Sequence, residues 1–324
     1  RGSRAAEWRF VDEVVPLSSF HARVRERAEQ ITAQSRSAGK DMGISLLQLK
    51  PIASADTIVY ENLEISIDQE QRCATFEIGG PSSPVADSYD DCVAAGSLFW
   101  PLAVMRELDD AILHLRFNAP DIGTWIFKST GDPKRVLAYD RLLEEHVTHW
   151  FAREILLHTR RVLKRLEVSS RSLIAVIEPG SCFAGSLFEF VLVADQSYML
   201  SGHFEGEEKP PATVALSASN FDRYQMVTGL SRLATRFQHE PLVLDELRTN
   251  IEIMLEAKDA WEAGIVTFIL DDIDWEGELR MLIEARARFS PDALSGMEAN
   301  LRFPGPETME SKIFARLSAW QNWI

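Results

Sequence analysis

Residues 178–195, EPGSCFAGSLFEFVLVAD, hold the residue types and spacing best suited to chemistry in this chain. An apolar run, LIAVI, climbs to Pro179-Gly180; small residues follow, and Glu189 then stands between Phe188 and Phe190. An ionised carboxylate left unpaired in an apolar setting costs several kcal/mol. Glu189 must therefore open onto a solvated cavity or accept hydrogen bonds from a loop that it holds. Facing a cavity, it would move protons or position water. Cys182 offers a second chemistry. Gly180-Ser181-Cys182-Phe183-Ala184, between a strand and a helix, has the small-x-nucleophile-x-small shape of a hydrolase elbow. A thiol nucleophile needs a downstream His, and only His203 and His239 follow. A packed small residue at a tight turn fits Cys182 better. His146 and His149 lie three apart as a metal pair would, but Glu144 and Glu145 point elsewhere on a helix, so an exposed face is expected and no metal site. The basic run HTRRVLKRL (158–166) reads as a solvated helix end favoured by the dipole.

The whole chain narrows these options. Its 324 residues allow one large domain or two small ones with ample core. A net charge of -15 argues against nucleic acid or an anionic membrane as the main partner. Three cysteines (Cys73, Cys92, Cys182) without metal-like spacing suit a reducing compartment. No apolar run approaches the roughly 18 residues of a membrane span. RGSRAAEWRF lacks the apolar core of a signal peptide, so the expected location is cytoplasmic.

The elements that must position the site read as follows. YENLEISIDQEQRCATFEIGG alternates as a two-stranded hairpin with a polar turn. SLFWPLAVMRELDDAILHLR carries a helical stripe of Leu102, Met105, Leu108, Ile112 and Leu115. TWIFKS (124–129) is a short buried strand, RLLEEHVTHWFAREILLHTRRVLKRL one long helix, RSLIAVI a strand and SLFEFVLVAD a helix. The order β-β-α-β-α-β-α indicates an α/β fold with a helical tail. Residues 4–35 echo residues 257–291: an Ala-rich lead, a short apolar stretch, a turn, then an amphipathic helix. The stripe is Phe20, Val24, Ala28 and Ile31 in one copy and Leu279, Leu282, Ile283 and Ala287 in the other. Two tails imply two copies of one unit. The expected organisation is a helical tail of a truncated first unit at 1–36, a linker at 37–56, and a second unit with a helical extension at 57–324.

Over roughly residues 57–301 the sequence resembles the crotonase (enoyl-CoA hydratase/isomerase) superfamily. The strongest parts are RSLIAVIEPGSCFAGSLFEFVLVADQSYM and AKDAWEAGIV, with GTWIFKSTGDPKRVLAYDRLL a weaker match. Pro179-Gly180 stands at the family's turn, Gly185-Ser186 at its glycine stretch, Glu189 at its acid and Ala194-Asp195 at its closing pair. Ala138-Tyr139-Asp140 occupies the place of a Gly-Ala-Asp, so the glycine is lost. The resemblance implies a ββα spiral and an acyl-CoA thioester whose carbonyl oxygen sits against two backbone N–H groups, one at a helix N-terminus. By matched position these amides belong to Ser186 (or Gly185) and Tyr139, and Glu189 is the first carboxylate. The doubled tail fits two-unit members, which implies an aromatic CoA thioester as substrate. The implied reaction opens the ring of 2,3-epoxybenzoyl-CoA, or a dihydroxylated benzoyl-CoA, releasing formate. No cofactor beyond the CoA moiety is implied. Family tails pack on neighbouring subunits, which implies a homo-oligomer with Trp320 and Trp323 as anchors. Two departures point to a structural unit instead. Ala218, in LSASNFDRY, stands where the second acid is expected, and residues 73–105 contain no Lys or Arg for CoA phosphates. Glu205, Glu207 and Glu208 lie nearby but read as a solvated acidic loop. Losing a general acid or base typically removes a factor of about 10²–10⁴ in rate.

Overall fold

The structure, a computed structural model, describes residues 2–34, 43–86, 88–303, 307–318 and 321. Contacts divide the chain into two units, Arg1–Gly43 and Ile44–Ile324. The first holds helices Gly2–Glu7 and Leu17–Gln34. No residue of the longer helix is buried, and its stripe residues Phe20, Val24 and Ile31 are exposed.

The second unit is built on one eight-stranded sheet whose spatial order follows the chain. Strands β1 (Ile52–Ala53), β2 (Thr57–Val59), β3 (Leu63–Asp68) and β4 (Cys73–Gly79) form an antiparallel meander. From β4 onward the sheet is parallel, through β5 (Thr124–Thr130), β6 (Ser172–Ile177), β7 (Gln196–Leu200) and β8 (Phe268–Leu270). Parallel neighbours need crossovers, and helices Trp100–Asn118, Pro133–Glu145, Trp150–Glu167 and Gly185–Val193 supply three of them. Their apolar faces meet Phe76, Trp125 and Phe127 of the sheet. The opposite face presents Ile126, Ile174, Val176 and Leu200. Trp275, Leu279, Leu282 and Ile283 of helix Asp272–Ala287 pack there. Coverage on both sides explains why every residue of β6 is buried and why its sequence is a continuous apolar run.

Two local expectations change. The long helix expected after β5 is two helices, broken at residues 146–149. His146 closes the first, while the His149 ring accepts from the Phe151 amide to open the second. Tyr89 stacks on His146 at 3.8 Å between centroids and reaches His149 Nδ1 at 3.1 Å, so both imidazoles serve packing. Of the expected linker, residues 37–42 lie outside the described residues. From Ile44 onward it joins the second unit: Ile44 packs on the core and β1 pairs with β2. Trp320 and Trp323 also lie outside the described residues.

Candidate active site

In open α/β sheets ligands gather at the carboxyl ends of the strands. At the end of β6 the chain turns through Gly180, at a φ of 90°, and starts helix Gly185–Val193 with Gly185 at a φ of 48°. A helix N-terminus exposes free amides that attract anions. Here none of the four is free. Gly185 N–H donates to the Ala215 carbonyl at 2.9 Å, and the Leu187 and Phe188 amides turn back to Ala184. Ser186 N–H donates to Asp140 Oδ2 at 2.6 Å. A Cβ on Gly185 would lie 1.9 Å from that same oxygen, so glycine is required both by the backbone angle and by the carboxylate's approach.

Asp140 reaches this position because its segment is helical. Asp132 caps the helix by accepting from the Lys134 amide, Pro133 fills the first turn, and residues 133–145 continue unbroken. Tyr139 is therefore mid-helix, with its N–H in the helical ladder rather than presented to a ligand. The two amides expected to form the oxyanion hole thus do not meet around an open space: one belongs to a helix interior and the other holds Asp140. Burial pushes the Asp140 carboxyl up to about 7, against the lowering effect of its Ser186 and Ser217 contacts.

Of the two surroundings expected for Glu189, a solvated cavity or internal hydrogen-bond donors, the structure has the second. Glu189 is fully buried, and its oxygens accept from Asn220 Nδ2 at 2.8 Å and Arg232 Nη1 at 2.7 Å. The other guanidinium nitrogen of Arg232 pairs with Glu167. A desolvated carboxylate needs such partners, and every residue of helix Gly185–Val193 is buried. Burial raises the Glu189 carboxyl's pKa, opposed by Arg232 and Asn220. Asn220 also donates to the Gly185 carbonyl at 2.9 Å, so one amide ties Glu189 to the turn. Ala218, at the place of the missing second acid, precedes the short helix Ser219–Asp222 that carries Asn220. Asp140, Asn220, Arg232 and Glu167 are the residues that sequence reasoning left without roles.

The other candidates settle quickly. Cys182 is fully buried, its thiol pushed up to about 12 by burial, and both His203 and His239 are exposed. That removes the hydrolase reading. Glu205 and Glu208 are exposed, while Glu207 pairs with Lys209 at 2.8 Å. Among the described residues no group of three His, Cys, Asp or Glu could hold a metal. No helix among them is long and apolar enough to cross a membrane.

A cavity of about 770 Å³ does lie open beyond the end of β4, bounded by Tyr60, Pro81, Ser82, Trp100 and Tyr139. Trp100 closes its floor by donating to the Gly79 carbonyl at 3.1 Å, and its ring lies 5.5 Å from that of Tyr139. The size suits a small organic ligand. Its cations are Lys50 and Arg106, both outside the 73–105 window in which the sequence shows none.

No protein-family model matches the chain. An enoyl-CoA hydratase/isomerase from Marinobacter aquaeolei superposes with a TM-score of 0.54 at 15% identity, covering 82% of this chain and 91% of its own. One from Cupriavidus metallidurans gives 0.53 at 16% identity, covering 81% and 88%. The fold is the crotonase fold. Over all 324 residues the sequence is also 44% identical to benzoyl-CoA-dihydrodiol lyase of Aromatoleum evansii. The chain spans 58% of that protein's length. The crotonase architecture expected from sequence is therefore present, with the corner around Ser186 bonded from within.

Proposed function

We propose that this chain is part of a benzoyl-CoA-dihydrodiol lyase. The reaction opens the ring of an oxidised benzoyl-CoA (the dihydrodiol or 2,3-epoxide) and releases formate. The similarity to the lyase across every residue of the chain supports that reading. Within such an enzyme the crotonase-fold unit seen here braces and assembles the protein and does not carry out the carbon–carbon cleavage. The single observation behind this division is the 2.6 Å bond between Ser186 N–H and Asp140 Oδ2. A thioester oxygen cannot use an amide already held by an internal carboxyl oxygen. Glu189, locked to Arg232 and Asn220, is likewise withheld from proton transfer. In this reading residues 1–36 are the tail of a preceding catalytic unit, and the protein is a cytoplasmic homo-oligomer. CoA is the only cofactor-like group involved, and the cations Lys50 and Arg106 that line the 770 Å³ cavity support its phosphates meeting the protein there.

The test is formate release from benzoyl-CoA dihydrodiol or its epoxide precursor. The 324-residue chain alone is expected to give none above background. A longer protein containing it should turn over, and should retain turnover when Glu189→Gln is introduced. Formate production by the chain alone would return catalysis to this unit. So would loss of turnover in a stably folded Glu189→Gln protein.

A further inference from the structure

At the amino ends of β6 and β7, away from the carboxyl-end cavity, lies a second hollow of about 460 Å³. Five arginines line it: Arg171, Arg232, Arg236, Arg286 and Arg302. Only two acids do, Asp195 and Glu298. Both are taken by Arg302, which holds Asp195 at 2.9 and 3.0 Å and Glu298 at 2.8 Å. Arg232 is taken by Glu167 and Glu189. Three guanidiniums then remain without a carboxylate among the described residues. Arg171 is only 8% exposed, yet it donates only to the carbonyls of Pro120, Ser169 and Ser170 and otherwise lies over the Trp125 ring at 5.8 Å. Arg236 donates to the Gly264 carbonyl, and Arg286 lies over the Phe289 ring at 5.5 Å. The Nε atoms of Arg171, Arg232 and Arg302 are all buried without an acceptor among the described residues.

A cationic hollow with unused donors is unusual in a chain of net charge -15. A buried cation without a counter-charge is costly, and guanidinium forks match the two oxygens of a carboxylate or phosphate. The rest of the wall is apolar, with Leu192, Leu294 and Met297. We propose that this hollow is a binding site for a small organic oxyanion, a carboxylate or phosphate headgroup joined to an apolar body. The headgroup meets Arg171, Arg236 and Arg286, and the body lies against the leucine and methionine side chains. The volume is within the range of small-ligand pockets and larger than a bare inorganic ion needs.

The experiment is calorimetric titration of the 324-residue chain with benzoate and with phenyl phosphate, using benzamide and inorganic phosphate as controls. Saturable binding of benzoate, phenyl phosphate or both is expected, and the two probes decide the headgroup. Benzamide should not bind, and inorganic phosphate should bind more weakly than phenyl phosphate. Arg286→Met keeps the aliphatic stem on a half-buried side chain and should weaken binding about fivefold or more. Arg236→Met, on an exposed side chain, should act in the same direction and covers any folding defect of the first variant. Binding unchanged in both variants would place the anion elsewhere, including the 770 Å³ cavity, and overturn the proposal. Absence of binding by both aromatic anions, or equal binding of benzamide, would overturn it too. So would inorganic phosphate binding as tightly as phenyl phosphate.

Discussion

The corner around Ser186 and the cavity beside Trp100 are joined through adjacent residues, Asp140 in the corner and Tyr139 on the cavity wall, and differ in almost everything else. In the corner the principal donors and acids have internal partners: Ser186 N–H has Asp140, and Glu189 has Arg232 and Asn220. In the cavity the walls stand apart, and Lys50 reaches solvent at its rim. Catalytic sites keep donors and acids unsatisfied until substrate arrives, at a cost in stability. A corner whose groups bond one another favours rigidity. The cavity keeps open volume of ligand size, and the buried acid on its wall, Glu107, accepts from the Asn62 amide and side chain. The contrast predicts that corner substitutions change stability, whereas rim substitutions change binding.

The largest effect should come from Arg232→Leu. It leaves Glu167 and Glu189 facing each other without their shared cation. Removing one partner of a buried ion pair typically costs about 3–5 kcal/mol. Urea denaturation should therefore show the protein near or past its unfolding threshold, and a loss below about 1 kcal/mol would mean that the cluster is solvated. Next comes Gly185→Ala, which adds a methyl group against Asp140 Oδ2 at a positive φ. Left-handed strain and overpacking together suggest about 2–4 kcal/mol. Adding Asp140→Ala should recover part of that loss, because it removes the clashing oxygen. Strictly additive losses in the double variant would show that the two residues do not meet.

How far the sequence foretold these two regions depends on distance along the chain. The hairpin of β3 and β4, the strand β6 and helices Trp100–Asn118 and Gly185–Val193 were legible, because alternation and helical spacing are local signals. The break at His146–His149 was not, since it depends on Tyr89, about 60 residues away. Asp140 was visible as a motif letter, but its seat on Ser186 spans 46 residues and requires the preceding segment to be helical. Arg232, 43 residues from Glu189, carries no motif at all; only the pairing rule for buried carboxylates demanded that something be there. The doubled tail makes the same point. Helices Leu17–Gln34 and Asp272–Ala287 share a pattern, but the second covers the sheet with Trp275 and Leu279 while the first has no buried residue.

The corner should also answer to pH. The Asp140 carboxyl titrates near 7 in the folded protein and near its ordinary value of 3.8 when unfolded. Between those values the folded state holds the extra proton, so stability falls as pH rises and levels off above about 7. Glu189, raised by burial, adds a slope of the same sign. Asp140→Asn keeps the shape and an acceptor for Ser186 N–H but cannot ionise. Urea unfolding of the variant and the parent should be compared at pH 5 and again at pH 7.5. Each pH unit crossed below the folded titration point costs the parent about 1.36 kcal/mol that the variant does not lose. The difference between them should therefore move in the variant's favour by roughly 2 kcal/mol over this interval. An unchanging difference across this range would mean that Asp140 titrates as an ordinary exposed carboxylate, and the sealed-corner account would fail.

The smallest effect is expected at the rim. Lys50 is exposed and lines the open cavity, so Lys50→Ala should shift stability by no more than about 0.5 kcal/mol. Its value lies in binding. An exposed cation near a phosphate contributes up to about 1 kcal/mol, which corresponds to a few-fold change in affinity. Free CoA titrated into the 324-residue chain at low ionic strength should bind the variant about two- to fivefold more weakly than the parent. In roughly 0.5 M salt the screening length drops below about 5 Å, so the two proteins should converge. That convergence separates a charge effect from a change in cavity shape, which salt would leave intact. Identical CoA affinities at low salt would remove Lys50 from the ligand's path. A gap that persists undiminished in high salt would mean that the alanine has altered the wall itself, and the cavity would then join the corner as a region whose substitutions act through structure.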